Sequence, residues 1–189
     1  MTSKQAAQTM IRALVELDVP HMLVDSFSTN AYGFPRSTKD CDIVVQLDTH
    51  SIQEIVDRLP KNFVLDPQIA FETVTGTTRY DIDVLPTNFG IELFELTDDA
   101  HDQSRFARRC EVLSPDMEAV VYLPTAEDVI VTKGRWGARA HRSKDLRDLK
   151  EVMAVQQNNL DWDYIHHWAD LHGSRQLLDK IRASIPRLD

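Results

Sequence analysis

Lys39-Asp40-Cys41-Asp42-Ile43-Val44-Val45 sets two carboxylates, one residue apart, at the head of an apolar, β-branched run. In an extended strand, side chains two apart share a face, so Asp40 and Asp42 project together at roughly 6–7 Å along the chain. Like charges held that close raise each other's pKa unless a cation lies between them, and oxygen donors of this kind suit Mg²⁺ or Mn²⁺. The spacing also suits a two-metal site, with ions about 3.5–4 Å apart clamping the attacking and leaving oxygens of an in-line phosphoryl displacement. A solvated strand end or a turn cap is the plainer use of an isolated Asp-x-Asp.

The same device recurs at Arg79-Tyr80-Asp81-Ile82-Asp83-Val84-Leu85, again with acids on one face and apolar residues on the other. If the two strands are neighbours, Asp81 or Asp83 completes a three-carboxylate site. Burying that much negative charge without metal costs several kcal/mol per unpaired ion.

Upstream of Asp40, the apolar residues Ala7, Met10, Ile11, Leu14 and Leu17 recur at helical spacing, predicting a helix over 4–17 that Pro20 closes. A buried strand over 21–24 follows, then a short helix over 26–32 capped by Asp25 or Ser26 and stopped at Gly33. Gly33-Phe34-Pro35-Arg36-Ser37-Thr38-Lys39 is a basic loop that delivers the chain to the strand over 40–47. Arg36 and Lys39 there either neutralise phosphate or pair with Asp40 and Asp42.

Downstream, Ser51-x-x-Glu54 is a capping box opening a helix. Strands are expected over 63–65, 77–85, 91–96 and 118–123, with a helical segment around 104–110. From Thr125 the pattern turns helical, with Thr125-x-x-Asp128 and Ser143 as starts and further helices over 162–171 and 174–185, parted by Gly173. The expected organisation is a single compact unit, an α/β core over 1–124 with a helical region over 125–189 packed on it.

At 189 residues, 42% hydrophobic and 27% charged, the chain has the balance of a folded globular protein. A formal charge of −9 argues against duplex DNA as a partner, whereas a small anionic ligand arriving with its own Mg²⁺ is compatible. Cys41 and Cys110 fit neither a disulfide framework nor a zinc spacing. No run approaches the roughly 20 apolar residues of a membrane span, and no signal segment is read, so the expected location is the cytoplasm. P-loop and Gly-x-Ser-x-Gly motifs are absent.

Met22-Leu23-Val24-Asp25-Ser26-Phe27-Ser28, followed by Asn30-Ala31-Tyr32-Gly33 and the loop into Asp40-Cys41-Asp42-Ile43-Val44, resembles the signature of the nucleotidyltransferase superfamily related to DNA polymerase β, in its small bacterial AbiEii-like branch. The resemblance extends less sharply through 123–130, Lys133 and 144–149. It implies an α/β (α+β) nucleotidyltransferase fold, a mixed central sheet flanked by helices with a C-terminal helical extension. It further implies transfer of an NMP group from an NTP to a hydroxyl acceptor, whether a small molecule, tRNA or a protein.

By this resemblance Asp40 and Asp42 bind the metals and Asp81 is the third carboxylate that helps activate the attacking hydroxyl, with Asp83 the alternative. Ser26 would touch the terminal phosphates, and Arg36 and Lys133 would be phosphate neighbours. Where the family has its first glycine this chain has Asp25, which adds a side chain and a negative charge where phosphate should approach. The alternative is therefore a catalytically impaired binding module on the same fold, as in a toxin–antitoxin type system. Lys133, Arg135, Arg139, Arg142 and Lys144 form a basic cluster that supplies either a counter-charge or a solvated helix face. His166, His167 and His172 read as ordinary helix residues, and Trp136, Trp162 and Trp168 as packing or interface residues.

Overall fold

A computed structural model describes residues 1–72, 74–114, 119–140 and 143–186. The expected strand residue Glu118 and the basic Arg142 lie outside them. The chain forms two compact units, one of residues 1–27 and 37–123, the other of residues 28–36 and 124–189.

The first unit opens with α1 (Ser3–Glu16), whose first amides are met by a Thr2–Gln5 capping box and whose buried side carries Ala6, Ala7, Met10, Ile11, Ala13 and Leu14. Then come β1 (His21–Leu23), the start of α2 (Ser26–Tyr32), β2 (Asp40–Val45), α3 (Ile52–Val56), β3 (Phe63–Leu65), β4 (Ala70–Phe71), β5 (Thr78–Val84), β6 (Phe89–Glu95), α4 (Ala100–Ala107), β7 (Cys110–Ser114) and β8 (Ala119–Leu123). The Ser51–Glu54 box caps α3 in both directions, as its spacing predicts. The segment expected to be helical around 104–110 ends earlier, and Cys110 instead begins β7. The short β4 carries too few residues for a strand period to show.

The main sheet runs β1-β2-β6-β5-β3, with β4 also paired to β5. β2 and β6 are parallel and the other pairs antiparallel, which makes the sheet mixed. Strand alternation sorts its two faces. Cys41, Ile43, Val45, Ile82, Val84, Ile91 and Leu93 join the core that also holds Met10 and Leu14 of α1. The opposite face carries Asp40, Asp42, Glu92, Arg79, Asp81 and Asp83, with Val44, Phe94 and Phe106 of α4 in a smaller apolar cluster toward β1.

The second unit is helical: the end of α2, then α5 (Ala126–Ala140), α6 (Ser143–Gln156), α7 (Trp162–His172) and α8 (Arg175–Ala183). Thr125 Oγ1 accepts from the Asp128 amide at 3.4 Å and donates to the Asp128 carboxylate at 3.0 Å, fixing the start of α5. α7 ends at Gly173 in a left-handed conformation with φ 68°. Val129, Ile130, Leu149, Val152, Met153, Ile165, Ala169 and Leu178 form its core. Trp162 and Trp168 of α7 pack against this core, Arg182 stacks 3.5 Å over the Trp162 ring, His166 lies 3.7 Å from Asp179, and His167 is exposed. Among the described residues, no helix is long and apolar enough to cross a membrane.

Candidate functional site

Strand register builds the site. β2 does not adjoin β5: β6 lies between them, so the two Asp-x-Asp pairs stand one strand apart. In the parallel pairing Asp42 is level with Glu92, and in the antiparallel pairing Glu92 is level with Asp81. Asp42, Glu92 and Asp81 thus form a row of carboxylates across three strands. The adjoining row is Asp40, Gly90 and Asp83.

Glu92 is the site residue that the sequence reading missed. One acid alternating with Ile91 and Leu93 has the pattern of any half-exposed strand, and only the pairing of β6 with β2 gives it meaning. The recoverable signal was Ile91-Glu92-Leu93 itself, an acid on the polar face of a strand whose other face is fully buried.

The charges are unevenly compensated. Asp42 is buried at 7% exposure, while the side chains of Asp81 and Glu92 keep about a third of theirs, 33% and 30%. Arg79 grips Asp81 with two nitrogens, Nε to Oδ1 and Nη2 to Oδ2, both at 2.9 Å, and reaches Glu92 through Nη1 at 3.3 Å. Burial lifts the Glu92 carboxyl above its usual value; Arg79 opposes that rise, and the charges of Asp81 and Asp40 add to it. Asp40 accepts from Thr38 Oγ1 at 2.5 Å, which ties the strand's first carboxylate to the preceding loop. Cys41, between the two aspartates, faces the core; burial and both acids push its thiol well up, so it is no nucleophile.

Ser26 is fully buried at the first turn of α2, its hydroxyl donating to Asp25 Oδ2 at 3.3 Å. Asp25 has φ 46°, in the left-handed region. That is where a glycine fits freely, and aspartate is among the few other residues that visit it. The chain therefore keeps a glycine-like backbone at this position while adding a carboxylate.

Arg36 and Lys133 belong to the second unit and are held there by acids. Asn30 clasps the Arg36 backbone through Nδ2 to O at 2.8 Å and N to Oδ1 at 3.0 Å, and the Arg36 guanidinium donates to Asp148 at 3.0 Å. Lys133, 2% exposed, donates to Asp145 at 2.8 Å and lies 3.7 Å from Asp148. Of the two roles open to Arg36, phosphate neutralisation or pairing with Asp40 and Asp42, neither describes this contact.

Solved structures share this architecture. The antibiotic-resistance factor ANT(2'')-Ia in solution aligns with a TM-score of 0.59 at 11% identity, over 95% of this chain and 97% of that one. Its crystal complex with adenylyl-2''-tobramycin aligns with a TM-score of 0.59 at 10% identity, over 93% and 99%. An antigenic nucleotidyltransferase-like protein from Paracoccidioides brasiliensis aligns with a TM-score of 0.53 at 15% identity, over 98% and 94%. No family model matches the chain, and no curated protein sequence matches it. At these identities the likeness is one of fold: the chain has the nucleotidyltransferase fold, and the AbiEii-like branch gains nothing from it.

Proposed function

We propose that the chain is a metal-dependent nucleotidyltransferase that moves a nucleoside monophosphate from a nucleoside triphosphate to a hydroxyl acceptor, and that the acidic face of β2, β6 and β5 is its active site. The observation carrying this reading is the row Asp42–Glu92–Asp81 with Asp40 beside Asp42, four carboxylates converging on one sheet face. Their donors are all hard oxygens, the set that Mg²⁺ and Mn²⁺ take, so the residues fit such an ion. Asp40, Asp42 and Glu92 would hold it. When bound, the metal supplies charge stabilisation to the transferring phosphoryl group.

The chain's own groups do the rest. Glu92, level with Asp42 in the β2–β6 pairing, takes the proton of the attacking hydroxyl as that oxygen bonds to the α-phosphorus and pyrophosphate departs. Asp81, expected from sequence as the third carboxylate, instead orients Arg79 against Glu92, and Asp83 stays at the rim. Ser26 would meet the terminal phosphates. Arg36 and Lys133, engaged with Asp148 and Asp145, are assigned a structural role.

A small hydroxyl compound is favoured as acceptor over tRNA or protein. The formal charge of −9 repels nucleic acid, and the structural neighbour ANT(2'')-Ia is seen with an adenylylated small molecule. Asp25 supports a second reading, a binding module that has lost triphosphate capture and serves a partner, as in a toxin–antitoxin pair.

Thermal melting with each NTP plus Mg²⁺ or Mn²⁺ tests both readings. A ligand at 100 times its Kd raises stability by about 2.7 kcal/mol, a shift readily measured. The enzyme reading expects a rise with metal that Asp42→Asn removes, and a further rise with NTP. No shift with any nucleotide or metal overturns it; a metal shift without an NTP shift, restored by Asp25→Gly, supports the binding module.

A further inference from the structure

β1 pairs with β2 on one side, and on the other β8 packs beside it while pairing its backbone with β7 alone. Side chains therefore seat the β7–β8 hairpin on the sheet. Val121 and Leu123 supply the apolar part of that seat by entering the main core. The polar part is His21, at the start of β1, which is 3% exposed and packs edge to face against the Tyr122 ring of β8, with centroids 5.6 Å apart and planes at 87°.

The surroundings of His21 suit one protonation state. Its Nδ1 lies 3.0 Å from the Val19 carbonyl, which can only accept, so in the neutral ring Nδ1 carries the proton and Nε2 presents a lone pair. Nε2 is buried and has no hydrogen-bond partner among the described residues. Protonating it would create an N–H with no acceptor and a buried charge with no counter-ion. The ladder partner of His21, Val45, is apolar. The charged group acting on the ring is Arg109, between α4 and β7, and it has the wrong sign. Its Nη1 donates to the Phe106 carbonyl at 2.6 Å, and its guanidinium lies 4.2 Å over the Phe106 ring and 5.4 Å over that of Tyr122, so the π-surface beside His21 already serves a cation. Glu111 of β7 accepts from the Tyr122 hydroxyl at 3.1 Å.

We propose that His21 is an acid-sensitive latch: the neutral ring seats the β7–β8 hairpin on β1, and the protonated ring, a buried cation without a partner, releases it. Release bares the outer backbone edge of β1 and turns a covered strand into an open one. Burial lowers the proton affinity of His21 most, the bond to Val19 opposes that fall, and Arg109 adds to it. The seated state therefore binds fewer protons than the released state, in which His21 has its ordinary value of 6.5. Seating is strongest above that value and weakens as pH falls from it toward the lower value of the seated ring.

Hydrogen exchange on the full chain, corrected for the intrinsic pH dependence of amide exchange, reads the seating directly. Between about pH 7.5 and about pH 5.5, protection of the β8 amides in wild type is expected to fall several-fold, within the roughly tenfold per pH unit that one proton allows, while the β5 amides keep theirs. His21→Phe keeps a ring against Tyr122 and cannot titrate, so its profile should be flat; His21→Gln, also neutral, takes its place if the phenylalanine variant does not fold. In wild type the His21 ring protons, followed by NMR, should titrate below 6.5. Steady protection of β8 in wild type, an equal fall in β5, a fall of the same size in the variant that cannot titrate, or a His21 that titrates at or above its ordinary value overturns the proposal.

Discussion

Both units collect carboxylates and basic side chains, but they balance them differently. In the helical unit Lys133, Asp145 and Asp148 are sealed, with side-chain exposures of 2%, 4% and 0%, and each acid has a cation: Lys133 for Asp145, Arg36 and Lys133 for Asp148. On the sheet face, which carries Asp40, Asp42, Glu92, Asp81 and Asp83, Arg79 pairs with Asp81 and Glu92, these three side chains are about a third exposed, and Gly90 carries no side chain between Asp40 and Asp83. In the helical set each buried acid is paired with a base of its own unit. The open set has more acids than bases and is the side to which the proposed function gives a cation, and this difference is why the basic residues expected at the phosphates are assigned to structure, whereas Glu92, unnoticed in the sequence, is assigned to chemistry.

The contrast breaks most visibly at Lys133. Lys133→Met leaves Asp145 and Asp148 buried with one ammonium fewer, and breaking one partner of a buried pair costs about 3–5 kcal/mol. Urea denaturation should show a loss of that size with the m-value unchanged. A loss under about 1 kcal/mol would mean that the cluster tolerates water, as surface pairs do, and that the supposed seal does not exist.

How much of this was legible beforehand depends on distance along the chain. Local chemistry could be read directly: the bounds of α2, the Ser51–Glu54 box, the Thr125–Asp128 start and the shared face of Asp40 and Asp42 are each decided within a few residues. Pairings across the chain could not. Arg36 meets Asp148 from 112 positions away, and a basic residue in a loop beside two aspartates gives no hint of that choice. Glu92 needed the insertion of β6 between β2 and β5, which depends on sheet order and not on any one strand's pattern. Asp25 lay between these cases: its departure from the family glycine was plain, but its left-handed backbone was not.

A smaller effect sharpens the sheet side of the contrast. The folded-state pKa of Glu92 is raised, chiefly by burial, so its contribution to stability is complete below the unfolded carboxyl value and is lost as pH rises through the folded value. The metal-free wild type should therefore gain stability relative to Glu92→Gln as pH falls from neutral toward the acid range. Melts of both proteins across that range decide it; parallel curves would place Glu92 in ordinary solvent and remove it from the site.

The smallest expected change in stability comes from Arg79→Met. Arg79 and its two partners are each about a third exposed, so solvent screens their attraction, and its loss should cost less than about 1 kcal/mol. Metal binding should move further, and in the opposite direction. Arg79 neutralises the carboxylates that a divalent ion would otherwise hold to itself, so removing it increases the negative charge at Glu92 and should tighten Mn²⁺ several-fold, by a Coulomb gain of about 1 kcal/mol in a half-open site. Weaker Mn²⁺ binding in Arg79→Met would instead assign the guanidinium to holding Glu92 in place for the ion, making Arg79 a positioning residue whose geometry outweighs its charge.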